Sequence, residues 1–133
     1  MRVSIKELTE MKSAGNKIAM VTAYDFTSAK ILDDTGLSIM LVGDSLGNVM
    51  LGYESTIPVT VEDMIHHAKA VVRGSQSAHV VVDMPFLSYR ISNVDALRNS
   101  GRFLQEAGAQ SVKLEGGLEV SDTVRHIVKA GIP

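Results

Sequence analysis

The sequence predicts an α/β protein built on parallel strands. Three observations carry that expectation. Helical and strand-like stretches alternate four times along 133 residues. The strand-like runs are almost continuously aliphatic, as in Ile39-Met40-Leu41-Val42 and Val80-Val81-Val82. Three of them run into an acidic residue: Asp44, Asp83 and Glu115. Strands that alternate with helices run parallel and join through right-handed crossovers. Aliphatic strands belong to a sheet that is covered on both faces or closed into a barrel.

Taken in order, residues 4–14 read as a short amphipathic helix with Ile5, Leu8 and Met11 on one face. Lys17 to Thr22 reads as the first strand, and Asp25 to Thr35 as a helix stopped by Gly36. The second strand covers about Ser38 to Val42, and a long polar loop follows from Gly43 to Val59. Thr60 reads as the N-cap of the next helix, with Asp63 in its first turn. Val61, Met64, Ile65, Ala68 and Val72 recur at helical spacing up to Gly74. The third strand centres on Val80 to Val82 and is broken by Met84-Pro85. Ser92 caps a further helix with Val94, Leu97, Leu104 and Ala107 inward, stopped by Gly108. Ser111 to Leu114 is the fourth strand. Val120, Val124, Ile127 and Val128 mark a last helix, closed by Gly131.

A loose repeat runs through this pattern: a glycine ends a helix, a strand starts shortly after, and an acid follows the strand. In parallel α/β folds the active site lies at the carboxyl ends of the strands, where these acids and the long loop fall. The four βα units form one domain over residues 1–133. A (β/α)8 barrel needs about 250 residues, so they amount to half of one. Ile132-Pro133 reads as the start of a fifth strand, and the expectation is a fragment or a truncated gene product.

Composition narrows the function classes. A net charge of −2 suits neither a nucleic-acid binder nor an acidic tail. With no cysteine there is no disulfide framework and no thiolate metal site, which fits a cytoplasmic location. No apolar run approaches a membrane span, and the charged start Met1-Arg2-Val3-Ser4 is not a signal peptide.

A carboxylate at the end of a buried strand is costly unless a cation waits there. Three on consecutive strands read as one site, and the simplest cation is a hard divalent metal such as Mg2+. Asp44 and Ser45 sit between Gly43 and Gly47, where Asp44 could bind metal and Ser45 a substrate carboxylate; a plain turn would also use these residues. Asp83 follows three valines and precedes Met84-Pro85-Phe86, and a strand-end acid facing solvent is the competing reading. Ser111, Lys113 and Glu115 share one strand face, with Val112 and Leu114 on the other. Glu115 could simply neutralise Lys113. The sharper reading gives Lys113 a substrate carboxylate and leaves Glu115 near the metal. His66, His67, His79 and His126 read as surface or packing residues. Tyr24 reads as a wall of the site, and Asp25 as a helix N-cap.

Five ordered motifs then carry a resemblance: Thr22-Ala23-Tyr24-Asp25, Met40-Leu41-Val42-Gly43-Asp44-Ser45-Leu46-Gly47, Thr56-Ile57-Pro58-Val59-Thr60, Asp83-Met84-Pro85-Phe86 and Val112-Lys113-Leu114-Glu115-Gly116-Gly117. Along nearly the whole chain the sequence resembles the ketopantoate hydroxymethyltransferases. The resemblance implies a (β/α)8 TIM barrel of the phosphoenolpyruvate-binding type, here its first four βα units plus an N-terminal helix. It implies a cytoplasmic homo-oligomer, usually a decamer, with no nucleic-acid or membrane partner. The implied reaction moves a one-carbon unit from 5,10-methylenetetrahydrofolate to 2-oxoisovalerate, giving 2-dehydropantoate for pantothenate synthesis. By resemblance, Asp44, Asp83 and Glu115 form the Mg2+ environment, and Asp44, Ser45, Asp83 and Lys113 hold the keto acid. The general base is expected beyond Pro133. Two alternatives stay open: an inactive half-barrel that only binds metal or self-associates, and a related Mg2+-dependent 2-oxo-acid lyase or mutase.

Overall fold

The computed structural model describes residues 1–133. Its elements are α1 (Ile5–Ser13), β1 (Met20–Thr22), α2 (Phe26–Asp33), β2 (Ile39–Val42), α3 (Leu46–Val49), α4 (Val61–Gly74), β3 (His79–Asp83), α5 (Asn93–Arg102), β4 (Ser111–Lys113) and α6 (Ser121–Lys129). A π-helical turn, Phe103–Ala107, extends α5, and a 3-10 turn, Leu118–Val120, leads into α6. The strands form one parallel sheet in the order β1-β2-β3-β4, as the alternation of elements predicts. The sheet is open, with β1 and β4 at its edges. After α6 the chain returns alongside β4, where the Val112 N–H donates to the Pro133 carbonyl at 3.0 Å.

The core lies between the sheet and its helices. Met40, Val42, Val80 and Val82 point that way and are fully buried, together with Ala29, Met64, Ala68, Val71 and Phe103. Ile39, Leu41 and Val81 alternate with them on the concave face and stay only partly covered. Side chains on a strand point to opposite faces in turn, so each strand sends one row to the helices and one to the concavity.

The helix starts follow the sequence expectation. Ser4 with Glu7 and Thr60 with Asp63 form capping boxes, while Asp25 and Ser92 accept from the backbones of Ser28 and Asp95. Two devices lock the turn between α4 and β3. The Arg2 guanidinium donates to the Val72, Ser75 and Ala78 carbonyls, covering the C-terminus of α4. The Asp33 carboxylate accepts from the Gln76, Ser77 and Ala78 N–H groups.

Several expectations change. The 43–59 loop contains α3, a single turn whose Leu46 and Gly47 are buried. Strand β1 begins at Met20 rather than Lys17, and as an edge strand it leaves Met20 and Val21 exposed. Helix α1 buries none of its residues, so Ile5 is exposed. Val94 faces solvent; the inward seam is Ala96, Ser100, Phe103 and Ala107, whose small members let the helix lie close to its neighbours. In α6 only Ile127 is buried, with Val120 just before it, while Val124 and Val128 are exposed.

Candidate active site

Strand register builds the site. Asp83 is the direct neighbour of Lys113, and Val42 pairs with Val82, so Gly43-Asp44 emerges beside Asp83. The Asp44 N–H donates to Asp83 Oδ2 at 3.3 Å. Lys113 Nζ lies 2.7 Å from Asp83 Oδ1 and 3.4 Å from Glu115 Oε1. Asp83 Oδ1 is buried, and the Lys113 ammonium is the cation against it.

Asp44, Asp83 and Glu115 line one cavity of about 120 Å³ together with Thr56, Met84, Phe86 and Tyr89. Pockets for drug-sized ligands hold roughly 300–1,000 Å³, so this one suits a small organic acid. Tyr89 donates its hydroxyl to the Glu115 carbonyl at 2.8 Å, and Arg90 reaches the same oxygen at 3.2 Å. These two contacts fix the backbone just past β4. Ser45 lies outside the cavity lining, on its flank, with its Oγ 2.9 Å from the Tyr24 hydroxyl. A Cβ at Gly43 would sit 2.8 Å from Ser45 Oγ and 3.4 Å from Asp83 Oδ2. Glycine therefore keeps a small space open between the two side chains.

Burial pushes the Asp44 carboxyl above the ordinary aspartate range, and Glu115 adds to the effect, while Lys113 and Thr56 oppose it. Burial also raises Asp83, against the pull of Lys113 and of the Asp44 N–H. For Lys113, burial works to lower the pKa, but Asp83 and Glu115 together hold it above the usual lysine value. Three carboxyl groups thus gather around one ammonium.

These residues fit a small hard cation: the donors are carboxylate oxygens, and Gly43 leaves room beside Asp83 Oδ2. The three acids do not, however, close into a ready-made group of metal ligands. The Lys113 ammonium stands between Asp83 and Glu115, and the Glu115 side chain is 80% exposed. Mg2+ commonly takes one or two carboxylates and completes its shell with water and substrate oxygens.

Other expectations resolve plainly. Asp25 caps α2, with its side chain accepting from Ser28. His79 is a buried packing residue, bonded to the Val3 carbonyl and to Ser111 Oγ. His67 reaches the Tyr24 carbonyl at 2.7 Å. Sequence reasoning assigned no role to Thr56, Met84, Phe86 or Tyr89 in lining the cavity. Thr56-Ile57-Pro58 was visible as part of the long loop and Met84-Pro85 as the break after the third strand, but the path that brings them over the strand ends was not.

No helix is long and apolar enough to cross a membrane. The chain is 61% identical to the 3-methyl-2-oxobutanoate hydroxymethyltransferase of Carboxydothermus hydrogenoformans, over 99% of its own length and 48% of the relative's. It is also 61% identical to the enzyme of that name from Dehalococcoides mccartyi, over 100% of its length and 47% of the relative's. The chain thus spans about half the length of the curated relatives it matches. Among solved structures it resembles 2,3-dimethylmalate lyase, a member of the PEP mutase/isocitrate lyase superfamily, with a TM-score of 0.69 at 16% identity; the match covers 94% of this chain and 47% of that one. Oxaloacetate acetylhydrolase gives 0.70 at 14% identity, over 97% of this chain and 49% of that one. At such identities these two show the fold alone: an α/β parallel-sheet chain matching about half of a TIM-barrel protein. The family model for ketopantoate hydroxymethyltransferase matches residues 2–133, and the chain belongs to that family.

Proposed function

We propose that this chain supplies the metal and keto-acid site of a hydroxymethyltransferase. In the reaction, 2-oxoisovalerate loses its C3 proton and the resulting carbon attacks the methylene group of 5,10-methylenetetrahydrofolate. Uptake of one water gives 2-dehydropantoate and tetrahydrofolate. The observation that carries this reading is the Asp83–Lys113 contact at 2.7 Å, beside a small acidic cavity that Asp83 lines with Asp44 and Glu115.

Each residue has a role its chemistry supports. Asp44 and Asp83 would hold Mg2+, with Glu115 near it, through water or directly. Bound there, the ion would supply Lewis-acid polarisation of the keto oxygen. The Lys113 ammonium carries three N–H donors and sits against Asp83 and Glu115, which leaves donor capacity for the substrate carboxylate. That contact orients the keto acid and offsets its charge as electron density builds toward the keto group. Ser45 donates a further hydrogen bond to the acid. None of these residues is assigned the abstraction of the C3 proton. The resemblance also supports a cytoplasmic homo-oligomer that uses a folate as co-substrate.

Incubation with 2-oxoisovalerate, 5,10-methylenetetrahydrofolate and Mg2+ tests the reading, with 2-dehydropantoate measured by mass spectrometry. Product formation supports it. Keto-acid binding without turnover would keep the binding role and withdraw the catalytic one. Cleavage of oxaloacetate or isocitrate instead would favour a lyase.

A further inference from the structure

Tyr24 follows β1 directly and reaches across to the turn after β2. Its hydroxyl lies 2.9 Å from Ser45 Oγ. Its own carbonyl is held by His67 Nδ1 of α4 at 2.7 Å, so the residue is anchored at its backbone as well as at its tip. Ser45 occupies the N-cap place of α3, yet its side chain makes no capping hydrogen bond. The serine hydroxyl is therefore not used by the helix end. The space that a Cβ at Gly43 would fill lies 2.8 Å from this oxygen and 3.4 Å from Asp83 Oδ2, which sets Ser45 Oγ at the edge of the acidic site.

The chemistry of the pair sets a direction. A hydroxyl has one proton and two acceptor lone pairs, and a phenol O–H is a stronger donor than an aliphatic alcohol. The better donor in the pair is Tyr24. When Tyr24 donates to Ser45 Oγ, the serine proton must point elsewhere, and the open side is the gap kept by Gly43. We propose that Tyr24 is a positioning residue for the keto acid, acting through Ser45 by fixing the direction in which the serine donates. This inference rests on the function proposed above.

The test is a double-mutant cycle on Tyr24→Phe and Ser45→Ala. Calorimetry measures 2-oxoisovalerate binding in the presence of Mg2+, and a separate titration measures Mg2+ alone. Phenylalanine keeps the ring and removes only the hydroxyl, and the melting temperature checks that the fold survives. Loss of one oriented hydrogen bond predicts about three- to tenfold weaker keto-acid binding for Tyr24→Phe. The double variant should bind like Ser45→Ala alone, and Mg2+ binding should not change. Wild-type affinity in Tyr24→Phe, or losses that simply add in the double variant, would overturn the positioning role and leave the proposed function intact. A wild-type chain that binds no keto acid at all would overturn the proposed function, and the role of Tyr24 with it.

Discussion

Replacing Lys113 with methionine removes the ammonium and keeps most of the aliphatic stem. Breaking a fully buried ion pair by deleting one partner costs about 3–5 kcal/mol. Here the Asp83 side chain is 9% exposed but that of Lys113 is 34% exposed, so water screens one end of the contact. Asp83 can also take up a proton once its partner is gone. The expected loss at pH 7.5 is therefore about 1–2 kcal/mol, or a fall in Tm of roughly 3–10 °C for a chain of this size. The pH dependence follows from Asp83, whose carboxyl burial already raises and Lys113 pulls back. Without Lys113 its folded value rises further. An acid raised in the folded state favours folding below its unfolded value, and that contribution is lost as pH rises through the folded value. The variant's deficit should thus be clearly smaller at pH 5 than at pH 7.5. Urea melts followed by circular dichroism measure both. A deficit equal at the two pH values, or none at either, would refute the claim that Lys113 stabilises a buried, ionised Asp83.

Two further substitutions probe the scaffold. Asp33→Ala leaves three N–H groups of the α4–β3 turn without their acceptor and should cost about 1–3 kcal/mol in urea melts at pH 7. Burial opposes ionisation of Asp33, but these N–H donors outweigh it and hold the carboxyl below the usual range. Its contribution is present above the unfolded value and fades as pH falls, so the cost should shrink toward pH 3. Phe103→Ala empties a fully buried site in the π-helical turn and should cost about 3–5 kcal/mol, read as a lower urea midpoint.

Much of this structure is legible in the sequence because local rules dominate it. Short aliphatic runs such as Ile39–Val42 and Val80–Val82, alternating with helices, read as parallel strands, and Ser4, Asp25, Thr60 and Ser92 mark helix starts by their capping chemistry. The placement of Asp44, Asp83 and Glu115 at the strand ends was readable because each follows such a run, and the structure shows them lining one cavity. The contact between Lys113 and Asp83 was not readable, because it depends on the register of two strands 30 residues apart, which no local pattern encodes. The sequence offered only Glu115 as the lysine's direct partner, and the structure adds Asp83 at the shorter distance. Helical periodicity located the apolar stripes of α5 and α6 but not their rotation, which is why Val94, Val124 and Val128 face solvent. Helix α3 is too short for any periodic signal, and the approach of Thr56 and Tyr89 to the cavity depends on loop paths set by the whole fold.

The most direct test of the central claim is calorimetric titration of 2-oxoisovalerate, with and without Mg2+, into the wild-type chain and into Asp83→Ala. Circular dichroism would confirm that both are folded. Binding by the wild-type chain that requires Mg2+, and its loss in Asp83→Ala, is the expected result. Undiminished binding in the variant, or wild-type binding indifferent to Mg2+, would contradict the assignment of Asp83 to a shared metal and keto-acid site.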